Sequence, residues 1–129
     1  MAEAKDVVRE YFDRAMAGDP KLGELFAEDA FWWIPESSPL GGTHRGRGAI
    51  LAMLEKAFAL YDTETMKVEI LELFGEGEHA CTRFQVDSKT AKGRQWKGDY
   101  LALFRVVDGR IQSVREHFDT KRLIEVVFD

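Results

Sequence analysis

Apolar residues recur along this chain at two periods, and the change from one to the other divides it. Over residues 3–17, Val7, Val8, Tyr11, Phe12, Ala15 and Met16 fall on one face of a 3.6-residue helix. Gly18-Asp19-Pro20 ends that helix. The spacing next predicts a helical turn over residues 21–27, with Leu22, Leu25 and Phe26 inward. Phe31-Trp32-Trp33-Ile34 reads as a short, bulky strand ended by Pro35. Residues 36–48, rich in Ser, Pro and Gly, read as loop. A second helix over about residues 49–60 puts Ile50, Leu51, Leu54, Ala57 and Phe58 on one side.

From Met66 onward the pattern alternates. Met66, Val68 and Ile70 mark one strand; Thr82, Phe84 and Val86 mark the next, after the turn Gly75-Glu76-Gly77-Glu78. Residues 89–93 form another polar turn. Tyr100, Ala102, Phe104 and Val106 then mark a long strand, which Leu101 and Leu103 make apolar on its other face as well. After Asp108-Gly109-Arg110, residues 110–118 form a fourth strand. Residues 120–127 close as a short helix with Leu123, Ile124 and Val127 inward, and Asp119 is placed to cap it. Early helices and late hairpin-linked strands predict one α+β domain over residues 1–129, with helices on one face of a curved antiparallel sheet.

Composition narrows the function. The 129 residues suffice for one core, and 45% hydrophobic with 32% charged residues describes a soluble globular chain. A net charge of −5 without a basic run argues against a nucleic-acid partner, whose binding needs clustered Lys and Arg. No apolar stretch is long enough to cross a bilayer, and the first residues lack an apolar leader, so the expected location is cytoplasmic. Cys81 stands alone, and His44, His79 and His117 lack paired ligand spacing, so no metal site is expected. The glycines of residues 41–48 lack the lysine of a phosphate cradle. No cofactor is expected.

Candidate chemistry gathers in the last strand. By alternation Glu116 shares a face with Gln112, Val114 and Phe118, while Arg115 and His117 point the other way. A carboxyl among apolar neighbours has a raised pKa and becomes usable as a general acid or base near neutrality. The alternative is an ion pair with Arg110 or Lys121. Phe12, Trp32, Phe58, Tyr61, Tyr100 and Phe118 form an aromatic set that is mostly core under any reading; were the fold to hold a pocket, they would wall it, with at most two or three meeting a hydrophobic small molecule. Trp33 faces away from Trp32, toward a possible subunit interface.

The element order, with Gly18-Asp19, Glu28-Asp29-Ala30 entering the bulky strand, and Arg45-Gly46-Arg47-Gly48-Ala49-Ile50 ending the glycine-rich loop, resembles the nuclear transport factor 2-like superfamily. Within it the chain is most similar to the SnoaL-like and limonene-epoxide-hydrolase branches. The resemblance implies a cone whose concave sheet and covering helices enclose a deep apolar pocket, and a homodimer formed through the outer sheet face. Similarity to the epoxide hydrolase implies that Arg83 and Glu116 work together, with Gln85 where a second acid would stand and Trp32 and Ile34 where the water-holding pair would fall. Similarity to ketosteroid isomerase implies a donor role for Tyr11, but its two acids would fall on Ile34 and near Ala102. The SnoaL-like cyclases imply an acidic pocket residue, here Glu116, with Asp119 as the fallback. Two functions stay open. One is a cofactor-free isomerase, cyclase, lyase or hydrolase with Glu116, Arg83, Gln85 and Tyr11 as its catalytic set, and Ile34, Val114 and the aromatic wall as its lining. The other is a non-catalytic binder of a hydrophobic ligand. A protein-interaction module using the open sheet face is a third and weaker option.

Overall fold

The computed structural model describes residues 3–129; Met1 and Ala2, part of the segment read for a leader, lie outside the described residues. Helix α1 (Ala4–Ala17) buries Ala4, Val7, Val8 and Tyr11. Its first turn is closed by the Glu3 N–H donating to Asp6 Oδ2 at 3.3 Å. Gly18 ends it in the left-handed region (φ 65°), which glycine enters without a side-chain clash, and donates its N–H to Ala15 O. A single 3-10 turn, Leu22–Leu25, leads into β1 (Phe26–Ile34). After β2 (Gly42–Arg45) comes α2 (Arg47–Phe58). Four long strands follow: β3 (Lys67–Glu76), β4 (His79–Lys89), β5 (Gln95–Val107) and β6 (Arg110–Phe118). The chain closes with α3 (Thr120–Leu123), which runs on into one π-helical turn, Ile124–Phe128.

The six strands form one sheet in the order β2-β1-β6-β5-β4-β3. The α+β cone-like architecture expected from the sequence is therefore present, with three differences. First, β1 starts at Phe26, not Phe31, so Phe26 is a buried strand residue rather than part of a helical turn. Second, Gly42–Arg45 pairs with β1 as an edge strand within what read as loop. Third, the sheet is mixed: β1 runs parallel to β6 while the other pairings are antiparallel. The parallel pairing seats the first strand beside the last and brings Trp32 level with Val114.

The core lies between the concave sheet face and the two helices. Alternation on β5 is strict: Trp96, Tyr100, Ala102, Phe104 and Val106 are buried, and Leu101, Leu103 and Arg105 are exposed. Each fully buried Phe or Ile in this layer, such as Phe104 or Ile111, contributes roughly 1.5–3 kcal/mol relative to exposure. Bulges shift this period in two strands. On β3 the register slips between Ile70 and Glu72, leaving Leu71 outward. On β6 it slips across Gln112, which lies between the Val106–Ile111 and Arg105–Ser113 pairs. No helix among the described residues is long and apolar enough to cross a membrane.

Candidate functional site

The β6 bulge fixes which way the last strand faces. Beyond it Val114 is fully buried, Arg115 and His117 are exposed, and Glu116 and Phe118 face the cavity that they help to line. Gln112 leaves that face, contrary to simple alternation, and donates to Asp29 Oδ1 at 3.0 Å on the surface. Directly across from Glu116 on β5 is Ala102, whose methyl group leaves room for the carboxyl. The cavity has a volume of about 140 Å³ and lies between the sheet, α1, α2 and the C-terminal turns.

Its walls are almost wholly apolar. Phe12 packs edge-on against Phe84 (4.9 Å between centroids), and Phe84 stacks on Tyr100 (5.0 Å, 7° between planes). Tyr100 in turn meets Phe118 at 5.3 Å, and Tyr11 packs against Trp32 at 5.7 Å and Phe104 at 5.9 Å. Leu54 and Phe58 from α2, Tyr61 just after it, and Leu123 and Phe128 from the C-terminal turns add to the apolar lining. The polar lining consists of Glu116, Tyr11, Tyr61, Tyr100, Ser38 and the Trp32 indole; among the described residues no Arg, Lys or His lines it.

Glu116 is consequently a carboxyl without a counter-ion. Burial, the larger cause, pushes its pKa from 4.5 to about 7, and the neighbouring Trp32 indole N–H pulls it the other way. That indole N–H is buried and meets no partner at hydrogen-bonding geometry. The tyrosines respond to the same environment. Tyr11 is raised by burial first and by the Glu116 charge second. Burial also raises Tyr61 and Tyr100, and the Glu116 charge adds to both. The Tyr100 hydroxyl accepts the Trp96 indole N–H at 3.1 Å, which ties this cavity-lining hydroxyl to the core. This arrangement offers a proton-transfer group that is half-ionised near neutrality, with hydroxyl and indole donors around it.

Several residues anticipated for the site lie elsewhere. Arg83 and Gln85 are on the opposite side of the sheet from Glu116. Thr82, Phe84 and Val86 take the inner face of β4, so its odd-numbered residues must point outward. Arg83 Nε donates to Glu72 Oε1 at 2.8 Å, with Nη1 3.7 Å from Asp99, and Gln85 donates to Asp99 Oδ1 at 3.2 Å. Alternation could not say which face was concave, and the buried bulk of Phe84 decides it. Val114 packs in the core under the site without lining the cavity. Asp119 is spent on the Arg122 N–H as the cap of α3. Tyr11, Phe12, Trp32, Ile34, Phe58, Tyr61, Tyr100 and Phe118 all line the cavity with Glu116. Sequence reasoning missed Trp96 and Phe128. The phase of β5, continued back through Gly98, would have found Trp96. Phe128 has no such signal, since it lies one residue past the helix read over 120–127; Lys92 Nζ donates to its carbonyl oxygen at 2.6 Å.

The histidines stay apart. His44 Nε2 donates to Leu40 O at 2.7 Å, His117 packs outward on Trp33 at 5.0 Å, and His79 is exposed. Among the described residues no group of His, Cys, Asp and Glu could hold a metal ion.

Comparison with known proteins agrees with this architecture. Residues 8–114 match the model of the SnoaL-like domain. A nuclear transport factor 2-like protein of unknown function from Burkholderia pseudomallei superposes with a TM-score of 0.88 at 22% identity, over 100% of both chains. One of the same kind from Burkholderia xenovorans is 28% identical, with a TM-score of 0.78 over 98% of each chain. Bal32a, from a soil-derived mobile gene cassette, is 27% identical, with a TM-score of 0.85 over 96% of this chain and 95% of its own. No protein of curated function matches the sequence. With its fold and a domain match over residues 8–114, the chain belongs to the SnoaL-like domain family of the nuclear transport factor 2-like superfamily.

Proposed function

We propose that this protein takes a hydrophobic small molecule into its cavity and moves a proton on it, without a cofactor, through Glu116. The observation that carries this is a single carboxyl in an apolar, cation-free cavity, with its pKa raised to about 7 by burial. A base so placed is strongest where proton transfer near neutral pH is fastest, and positioned acid–base groups contribute about 10²–10⁴-fold to rate. The test is deuterium uptake at the α-carbons of a panel of apolar carbonyl compounds in D₂O, followed by NMR. Wild type is expected to accelerate exchange of at least one member, and Glu116→Gln to lose about 10²-fold or more of that acceleration. A Gln variant as fast as wild type sinks the assignment.

A non-catalytic binding role is the second reading. It is favoured by the surroundings of Glu116, where Ile34 and Ala102 are apolar and no second acid lines the cavity. A ligand that co-purifies in the cavity, unchanged after prolonged incubation, supports it over catalysis. We further infer that a second copy of this chain covers the outer sheet face, where Phe74 (62%), Leu101 (48%) and Leu103 (42%) are exposed.

A further inference from the structure

A tyrosine on the cavity wall is governed from behind by a residue that does not touch the cavity. Tyr100 lines it, whereas Trp96, on the same face of β5, is buried outside the lining. The Trp96 indole donates its N–H to the Tyr100 hydroxyl oxygen at 3.1 Å. Its pose is fixed by its neighbours. Gly98 lies between the two residues, and a Cβ there would meet Trp96 Cζ2 at 2.3 Å, so the indole rests on bare backbone. The Arg122 guanidinium carbon lies 5.0 Å from the indole ring centre, and Arg122 Nη1 donates to Lys97 O beside it. Asp119 seats Arg122 by accepting its backbone N–H at 3.0 Å. The Tyr100 ring is held as well, stacked on Phe84 at 5.0 Å and against Phe118 at 5.3 Å.

A phenol O–H lies in the plane of its ring, so a fixed tyrosine ring leaves the proton two directions, with a lone pair in the one it vacates. The Trp96 N–H claims one of these for the lone pair, and the proton takes the other. We propose that Trp96 is a positioning residue for the cavity: it turns the Tyr100 O–H inward as a fixed hydrogen-bond donor, so that the cavity prefers an apolar ligand with an accepting atom over the same shape without one. The inference rests on the reading that the cavity takes a hydrophobic small molecule, and it is independent of whether Glu116 moves a proton. Accepting from Trp96 also makes the Tyr100 hydroxyl a better donor, by about 10–30% per bond. Burial raises the Tyr100 pKa, and the Trp96 donation opposes that rise. A Trp96 that only filled the core would affect ligands with and without an accepting atom alike.

The test compares benzaldehyde with toluene, two uncharged rings of similar shape, at pH 8, where Glu116 is mostly ionised and cannot donate. Ligand affinities are measured by NMR titration for wild type, Trp96→Phe, Tyr100→Phe and the double variant. Benzaldehyde has no α-hydrogen, so its binding is read apart from proton exchange. Wild type is expected to prefer benzaldehyde about tenfold, and Tyr100→Phe to abolish the preference. Trp96→Phe is expected to reduce the preference about threefold, and to change it no further once the Tyr100 hydroxyl is gone. Lost packing weakens both probes and leaves their ratio alone, so the ratio separates positioning from a structural role. In wild type the Trp96 indole ¹⁵N–¹H signal is expected to shift with benzaldehyde and not with toluene, which decides the matter where a variant fails to fold. No binding of benzaldehyde, no preference in wild type, a ratio unmoved by Trp96→Phe, or an indole signal that responds to both probes alike overturns the proposal. Toluene that binds as well as benzaldehyde sinks this inference and leaves the cavity as a hydrophobic binding site. The Glu116 exchange assay stands apart from all of these results.

Discussion

Replacing Glu116 with Gln should make the protein more stable, and increasingly so as pH rises. Glu116 keeps its proton in the folded state up to about pH 7, whereas its ordinary value of 4.5 applies in the unfolded chain. Its folded pKa is the raised one, so its contribution is most favourable below about 4.5 and is lost as pH climbs to about 7. Above that the ionised carboxylate is a fixed penalty. At about 1.4 kcal/mol per tenfold difference in proton affinity, the loss between pH 5 and pH 8 comes to about 2.5 kcal/mol. That is a large share of a typical domain stability of about 5–15 kcal/mol. Gln fills nearly the same volume and never ionises. Trp32, Tyr11, Tyr61 and Tyr100 face the carboxyl, and the three tyrosines, all raised by burial, stay neutral throughout this range. Urea unfolding of both proteins at pH 5 and pH 8 measures the effect, and subtraction removes the shared histidines. The Gln variant is expected to gain about 2.5 kcal/mol on wild type between the two pH values. A stability difference that is the same at both pH values refutes the reasoning, because Glu116 would then be as well solvated in the fold as in the unfolded chain.

Three further outcomes follow from the packing. At Gly98 an added Cβ would sit 2.7 Å from Cε2 of Trp96, so Gly98→Ala must displace the indole and break its bond to Tyr100. Chemical denaturation is expected to register about 1–3 kcal/mol of lost stability. Arg83→Met removes an exposed ion pair on the far side of the sheet, so ligand affinity and proton exchange should match wild type in the assays above. Leu103→Glu puts charge in the middle of the exposed apolar patch and should convert a dimer to a monomer in sedimentation velocity; wild-type protein that sediments as a monomer removes the interface inference.

How much was legible in the sequence depended on how local the cause was. β6 was bounded correctly at residues 110–118 because a turn and a cap flank it. The strict alternation of β5 likewise announced its buried face. The edge strand β2 was hidden because Gly42-Thr43-His44-Arg45 has no apolar pattern; its hydrogen bonds come from β1, a distant partner. β1 lost its first half to Glu28-Asp29, which look like loop but sit exposed within a nine-residue strand. The site divided in the same way. Alternation put Glu116 on one face with Val114 and Phe118, but that this face lines a cavity was an expectation of the family resemblance. The face of Arg83 followed only from where the sheet curves, a property of six strands together. The missing counter-ion was equally invisible, because it depends on every residue that lines the cavity.

The central claim is that Glu116 is a carboxyl held half-protonated near neutrality by an apolar, cation-free cavity. Its most direct measure is the titration of the Glu116 side-chain carboxyl carbon by ¹³C NMR, with Glu116→Gln identifying the signal. A midpoint close to 7 is predicted; a midpoint at the ordinary value of 4.5 would contradict it.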